Sequence, residues 1–127
     1  AALNLPTLDG APFDPQQLGG RAGLVAFWRP GCPHCIADLP RIARAASARG
    51  AASVAVMVAG KPDQARLVVQ RTGFTGIVLV DDGSLRKQLD IRKVPYTLVL
   101  RRDGTAAAAF LGEQEEQTFL DALADLE

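Results

Sequence analysis

The order of apolar runs and turn signals predicts an α/β domain, a central mixed β-sheet flanked by helices, with an N-terminal β-hairpin extension. Three observations carry that expectation. Short β-rich apolar runs at 24–28, 52–59 and 77–80 alternate with segments whose apolar residues recur at helical spacing. Two further runs, 96–100 and 105–110, flank Arg101-Arg102-Asp103-Gly104, with Asp-Gly at the tip of a hairpin. The chain then closes on a stretch of helical period. Strands that alternate with helices and finish in a hairpin plus helix bury their apolar faces best with helices packed on a mixed sheet.

Taken in order, residues 3–13 (LNLPTLDGAPF) place Pro6 and Asp9-Gly10 between short apolar stretches, which reads as the hairpin, leading into a turn at 14–18. The uninterrupted run 24–28 (LVAFW) has the length and composition of a strand buried on both faces, hence a central one. Pro33 suits the first turn of a helix, where its missing N–H costs nothing. Ile36, Leu39, Ile42, Ala43 and Ala46 then mark an inner face up to Gly50, with Pro40 expected to kink the helix. A second buried strand spans 52–59. A helix over 62–71 turns Ala65, Leu67, Val68 and Val69 inward and ends at Gly73. After the third strand, Asp81-Asp82-Gly83-Ser84 leads into a short helix through Leu85 and Leu89. The final helix is expected to open at Gly112, with Glu113, Glu115 and Glu116 at the positive end of its dipole and Phe119, Leu120, Leu123 and Leu126 facing the core.

The bulk properties narrow the function. At 127 residues the chain fits one domain, 1–127, able to bury a core without disulfide staples. Fourteen basic residues balance fourteen acidic ones, so no electrostatic footprint for nucleic acid or an anionic membrane is present. No apolar run approaches the roughly 18 residues of a membrane span. The mature domain is therefore expected to be soluble and monomeric. The absence of an initiating Met suits a processed or trimmed chain, with a removed signal peptide or anchor left open.

Chemistry concentrates in Cys32-Pro33-His34-Cys35, which holds both cysteines and the only histidine. Two thiols separated by two residues can close a small disulfide ring, and the flanking runs mount it at a strand-to-helix junction. Only a thiolate attacks a disulfide, and an ordinary cysteine of pKa ~8.5 is mostly protonated at neutral pH. At a helix N-terminus, free backbone N–H groups and the macrodipole lower that value, into a range of roughly 3.5 to 7.5 in such settings. Cys32 is thus the expected nucleophile and Cys35, one turn deeper, the resolving thiol. His34 is the expected tuning residue, since an imidazolium near the Cys32 sulfur stabilises the reduced state and makes the couple more oxidising. Arg29 is a second candidate for stabilising that thiolate. The competing reading is a copper- or zinc-binding module using the same cysteines and His34. Structural zinc takes four ligands, and this stretch offers three. A peroxidase reading is weaker, and haem attachment wants His where Ile36 stands.

With these residues in view, the chain resembles the thioredoxin-like superfamily, nearest the TlpA/ResA-type bacterial thiol–disulfide oxidoreductases. The resemblance rests on LPTLDGAPF followed by GGRAGLVAFW, on Cys-Pro-His-Cys with Pro40 after it, and on Arg92-Lys93-Val94-Pro95-Tyr96-Thr97 entering a strand and an RRDG hairpin. It implies a thioredoxin-like fold and disulfide exchange with protein thiols and a redox partner protein. It further implies a periplasmic or otherwise extracytoplasmic location and no cofactor beyond a Cys32–Cys35 disulfide. It implies Pro95 as a cis-proline facing the cysteines, with Val94, Trp28, Pro33 and Tyr96 on the substrate side. The Val94 backbone would then be open to pairing with an extended substrate segment. Ala26 stands where relatives carry a buried acid, and Asp38 matches a carboxylate of ResA-like members, implying proton exchange with Cys35. Pro30-Gly31 replaces the usual Trp before the first cysteine. The inserted helical domain of the DsbA type, whose His between the cysteines His34 resembles, is absent.

Overall fold

A computed structural model describes residues 18–126, so the expected hairpin over 3–13, and the turn after it up to residue 17, lie outside the described residues. The elements run β1 (Gly23–Trp28), α1 (Pro33–Ala48), β2 (Ala52–Met57), α2 (Pro62–Thr72), β3 (Ile77–Val80), α3 (Ser84–Gln88), β4 (Tyr96–Leu100), β5 (Ala106–Leu111) and α4 (Glu116–Ala124). The strands form one sheet of order β3-β2-β1-β4-β5. β1 pairs parallel with β2 and antiparallel with β4; β2 and β3 are parallel, and β4 and β5 antiparallel. The mixed sheet and its central first strand are as the apolar runs predicted.

Strand periodicity divides the core in two. Leu24, Ala26 and Trp28 of β1 pack in one cluster with Leu39 and Ile42 of α1, Ala65 and Val68 of α2, and Phe119 and Leu123 of α4. Val25 and Phe27 point the other way, into a cluster with Val54, Val56, Leu79, Leu85 and Ile91. Two crossovers of the same hand lay α1 and α2 on one face as the chain steps from β1 to β3. The α3 segment then returns over the opposite face to β4. β1, buried along all six residues, ends in the middle of the sheet, and Cys32 follows four residues later.

Three elements depart from the pattern read in the sequence. Leu67, expected inside, is 54% exposed, because α2 buries Ala65 and Val68 and Leu67 lies about 200° around the helix from Ala65. α4 begins at Glu116 instead of Gly112. Gly112 sits at φ 88, and the Gln114 N–H and C=O both bond to α1 side chains, so 112–115 form a loop clamped to that helix. On α1 the buried face is Cys35, Asp38, Leu39, Ile42, Ala45 and Ala46; Ile36 and Ala43 are half-buried, and an acid lies within the apolar stripe. The helix runs unbroken through Pro40.

Candidate active site

Cys32 is the N-cap of α1, in extended conformation, with Pro33 opening the first turn. Its sulfur accepts the Cys35 N–H at 3.2 Å, in the place a capping hydroxyl or carboxylate usually fills. The Cys32 and Cys35 sulfurs are bonded to each other as a disulfide. Cys32 is 4% exposed and Cys35 1%, so both residues are buried, Cys35 the more completely. When the bond opens, a negative charge on Cys32 meets an N–H already aimed at it and the positive end of a sixteen-residue helix.

Asp38 lies one turn beyond Cys35 on the same helix and is 1% exposed. Its Oδ1 accepts the Gln114 N–H at 3.1 Å and lies 3.7 Å from the Arg41 guanidinium, while Oδ2 is buried without a hydrogen-bond partner. Desolvation is the largest influence on this carboxyl and raises its pKa from 3.8 to about 6, against the lowering effects of the Gln114 N–H and Arg41. Both facts describe a buried acid that ionises with difficulty and can hold a proton near neutral pH. The resemblance implied a carboxylate at Asp38 in proton exchange with Cys35; the structure buries that carboxyl.

Glu113, read in the sequence as a helix-dipole acid, has a different position. Its Oε1 is 2.8 Å from His34 Nδ1, and its Oε2 accepts from Arg41 at 2.8 Å. These two hydrogen bonds, His34 first, hold its pKa below the ordinary carboxylate range. Arg41 also donates to the Gln114 carbonyl at 3.0 Å, and Arg44 pairs with Glu116 at 2.7 Å. A polar chain thus runs from His34, through Glu113 and Arg41, to Asp38. Sequence reasoning missed Arg41, Glu113 and Gln114. Arg41 had a signal in its position three residues after Asp38, but Glu113 and Gln114 lie more than seventy residues from their partners and had none.

The other expected site residues separate. Val94–Pro95 is a cis peptide; Pro95 is buried and Val94 half-buried against the cluster that contains both cysteines. Pro33 and His34 are exposed, His34 with 72% of its side chain in solvent. Trp28 is a fully buried member of the cysteine cluster, so it underlies the site and presents no surface. Tyr96 turns to the opposite face of the sheet, its ring 6.1 Å from that of Phe27, and Arg29 is exposed. Ala26, fully buried, faces Thr97 across the β1–β4 ladder, and no acid stands there. Among the described residues no three His, Cys, Asp or Glu side chains converge to hold a metal ion, and no helix is long and apolar enough to cross a membrane.

Comparison with known proteins agrees with this arrangement. The Redoxin family model matches residues 1–126. The soluble secreted antigen MPT53 of Mycobacterium tuberculosis is 32% identical over 104 residues, 79% of this chain and 59% of its own length. The methylamine utilization protein MauD of Methylobacillus flagellatus is 29% identical over 116 residues, 90% of this chain and 56% of its own. The chain therefore spans somewhat under two thirds of the curated relatives it matches. Among solved structures, a secreted Mycobacterium tuberculosis disulfide oxidoreductase homologous to Escherichia coli DsbE superposes with a TM-score of 0.84 at 26% identity, covering 96% of this chain and 94% of that one.

Proposed function

The chain belongs to the Redoxin family and has a thioredoxin-like fold, and from that premise we propose that it is a thiol–disulfide oxidoreductase acting on protein thiols outside the cytoplasm. The observation that carries the proposal is the disulfide at the α1 N-cap, with the Cys35 N–H already on the Cys32 sulfur. The relative described as secreted and the solved secreted oxidoreductase support the location.

The N-cap disulfide and the buried Asp38 on the same helix support the following reaction. In the oxidising direction a substrate thiolate attacks Cys32 Sγ and forms a mixed disulfide, while the Cys32–Cys35 bond breaks and its electron pair leaves on Cys35. Protonated Asp38 supplies the proton that neutralises this buried thiolate. A second substrate thiolate then attacks the substrate sulfur of the mixed disulfide, releasing an oxidised substrate and the Cys32 thiolate, which the helix terminus stabilises. In the reducing direction the Cys32 thiolate attacks a substrate disulfide, Asp38 carboxylate takes the Cys35 proton, and Cys35 sulfur displaces the reduced substrate. Pro95 and Val94 form the wall against which the substrate segment lies, with Pro33 at its rim. His34 tunes the Cys32 thiolate.

Removing the resolving thiol tests this directly. A Cys35→Ser variant is expected to accumulate mixed disulfides with protein substrates through Cys32, visible by non-reducing electrophoresis and mass spectrometry. A folded variant that captures none removes the basis of the proposal. Equilibration of native and His34→Gly proteins with glutathione is expected to give the variant the lower, more reducing potential; identical potentials exclude His34 from the mechanism.

A further inference from the structure

A cleft of about 290 Å³ opens between Arg29, just past β1, Val58 and Ala59, just past β2, and the segment joining α3 to β4. Its walls carry Arg29, Arg86, Arg92 and Lys93, with Ile91 and Val94 among its apolar lining and no acid. A second cleft of about 450 Å³ shares Arg86, Ile91 and Arg92 with it and is lined also by Lys87 and by Asp90, its one acidic residue. The Asp90–Arg92 pair, 3.1 Å, is exposed on both sides and neutralises little. Among the described residues Arg29, Lys87 and Lys93 form no ion pair, and the Arg86 guanidinium is steadied by the Ile91 carbonyl at 3.3 Å. The protein as a whole is neutral. Glu113 and Glu116 are paired with His34, Arg41 and Arg44, and neither lines this cleft.

The near end of this channel is Val94, next to Pro95, and Arg29, three residues before Cys32. We propose that the channel receives an acidic polypeptide segment adjoining the substrate cysteine, so that carboxylates of the substrate lie along Arg29, Arg86, Arg92 and Lys93 while its sulfur meets Cys32. The inference rests on the thiol–disulfide reading and adds a substrate class to it. The two clefts share three lining residues and together carry five cationic side chains, more than a small anionic thiol can engage, which favours a chain over a molecule such as glutathione. Cationic charges lining a concave surface raise both encounter rate and discrimination, and salt weakens them. The exchange itself is the one already balanced: the peptide sulfur bonds to Cys32, Cys35 leaves with the electron pair, and the second peptide sulfur completes the peptide disulfide.

The test uses the oxidised protein with two-cysteine peptides identical except for flanking Glu, Gln or Lys residues, oxidation being followed by mass spectrometry after acid quench. Native protein is expected to oxidise the Glu peptide faster than the Lys peptide by about tenfold at low salt, with the ratio falling toward one as salt rises. In an Arg92→Glu/Lys93→Glu variant, altered only at exposed positions, the ratio inverts. A ratio that is the same in both proteins, or insensitive to salt in the native one, overturns the proposal. So does a charge-dependent preference for glutathione over a neutral thiol with no discrimination among the peptides, which assigns the cleft to small thiols. Dithiothreitol reduces the disulfide without using the cleft. Failure of the native protein there condemns the thiol–disulfide reading, and success there with undiscriminated peptides condemns only the acidic-segment reading.

Discussion

In the proposed exchange Cys32 and Asp38 divide the work of handling charge, each through its position on α1. At the N-cap, the sulfur replaces a capping oxygen, so an anion there is held by hydrogen bond and dipole together. One turn past Cys35, the carboxyl is buried with one oxygen unpartnered and titrates near 6. Exchange starting from the reduced protein should therefore accelerate as pH rises through about 6, where Asp38 becomes the base for Cys35. Asp38→Asn should lose that inflection and slow by about 100-fold, the scale of a single general base, in stopped-flow assays with a small disulfide. Glu113 bears on both charges. Its carboxylate raises the Asp38 pKa and balances His34, so Glu113→Gln should move the inflection below 6 and make the couple more oxidising, by about 10 to 30 mV. A glutathione equilibrium and the pH–rate profile measure the two shifts separately.

At the scale of elements, the active-site helix is secured by α4 and the loop before it. Phe119, fully buried and set edge-on against Phe110 at 6.2 Å, anchors α4 on the same cluster that underlies the cysteines. Phe119→Ala should cost about 3 to 5 kcal/mol by urea unfolding. Leu67→Ala, on the exposed face of α2, should cost within about 0.5 kcal/mol. Apolar period alone had put Leu67 inside with its neighbours. The run Leu67-Val68-Val69 is apolar on successive residues, and only the docking of α2 selects which of them is buried. Gly73, at φ 68, ends that helix where a left-handed residue was expected.

Across the whole molecule, the buried acid costs stability in a definite pH window. A carboxyl whose folded pKa lies above its unfolded value binds more protons folded than unfolded, so stability falls as pH rises from the unfolded value through the folded one. The window here runs from 3.8 to about 6, and the loss amounts to about 3 kcal/mol once both states are ionised. Asp38→Asn keeps an oxygen for the Gln114 N–H and removes the charge. It should therefore be more stable than the native protein at pH 8, by an amount that shrinks to nothing below about pH 4; urea unfolding across pH is the measurement. Neutral overall charge resolves into paired charges around Glu113 and a cationic cleft that includes Lys93.

The fold and the reacting pair were legible because both rest on local signals: period two or 3.6 along each run, Asp-Gly at the hairpin tip, and two cysteines with Pro33 at the head of a helix. Those residues determine the order of elements, the central place of β1 and the helix terminus under Cys32. Only the tertiary structure decided what surrounds that terminus. The burial of Asp38 and Trp28, the Glu113 bridge from His34 to Arg41, the turn of Tyr96 to the opposite sheet face, and the cationic channel beside Val94 all depend on which distant segments meet α1 and β4. Desolvation and ion pairing act through space, and the charges of Glu113 and Lys93 acquired their meaning from neighbours that the linear sequence keeps dozens of residues away.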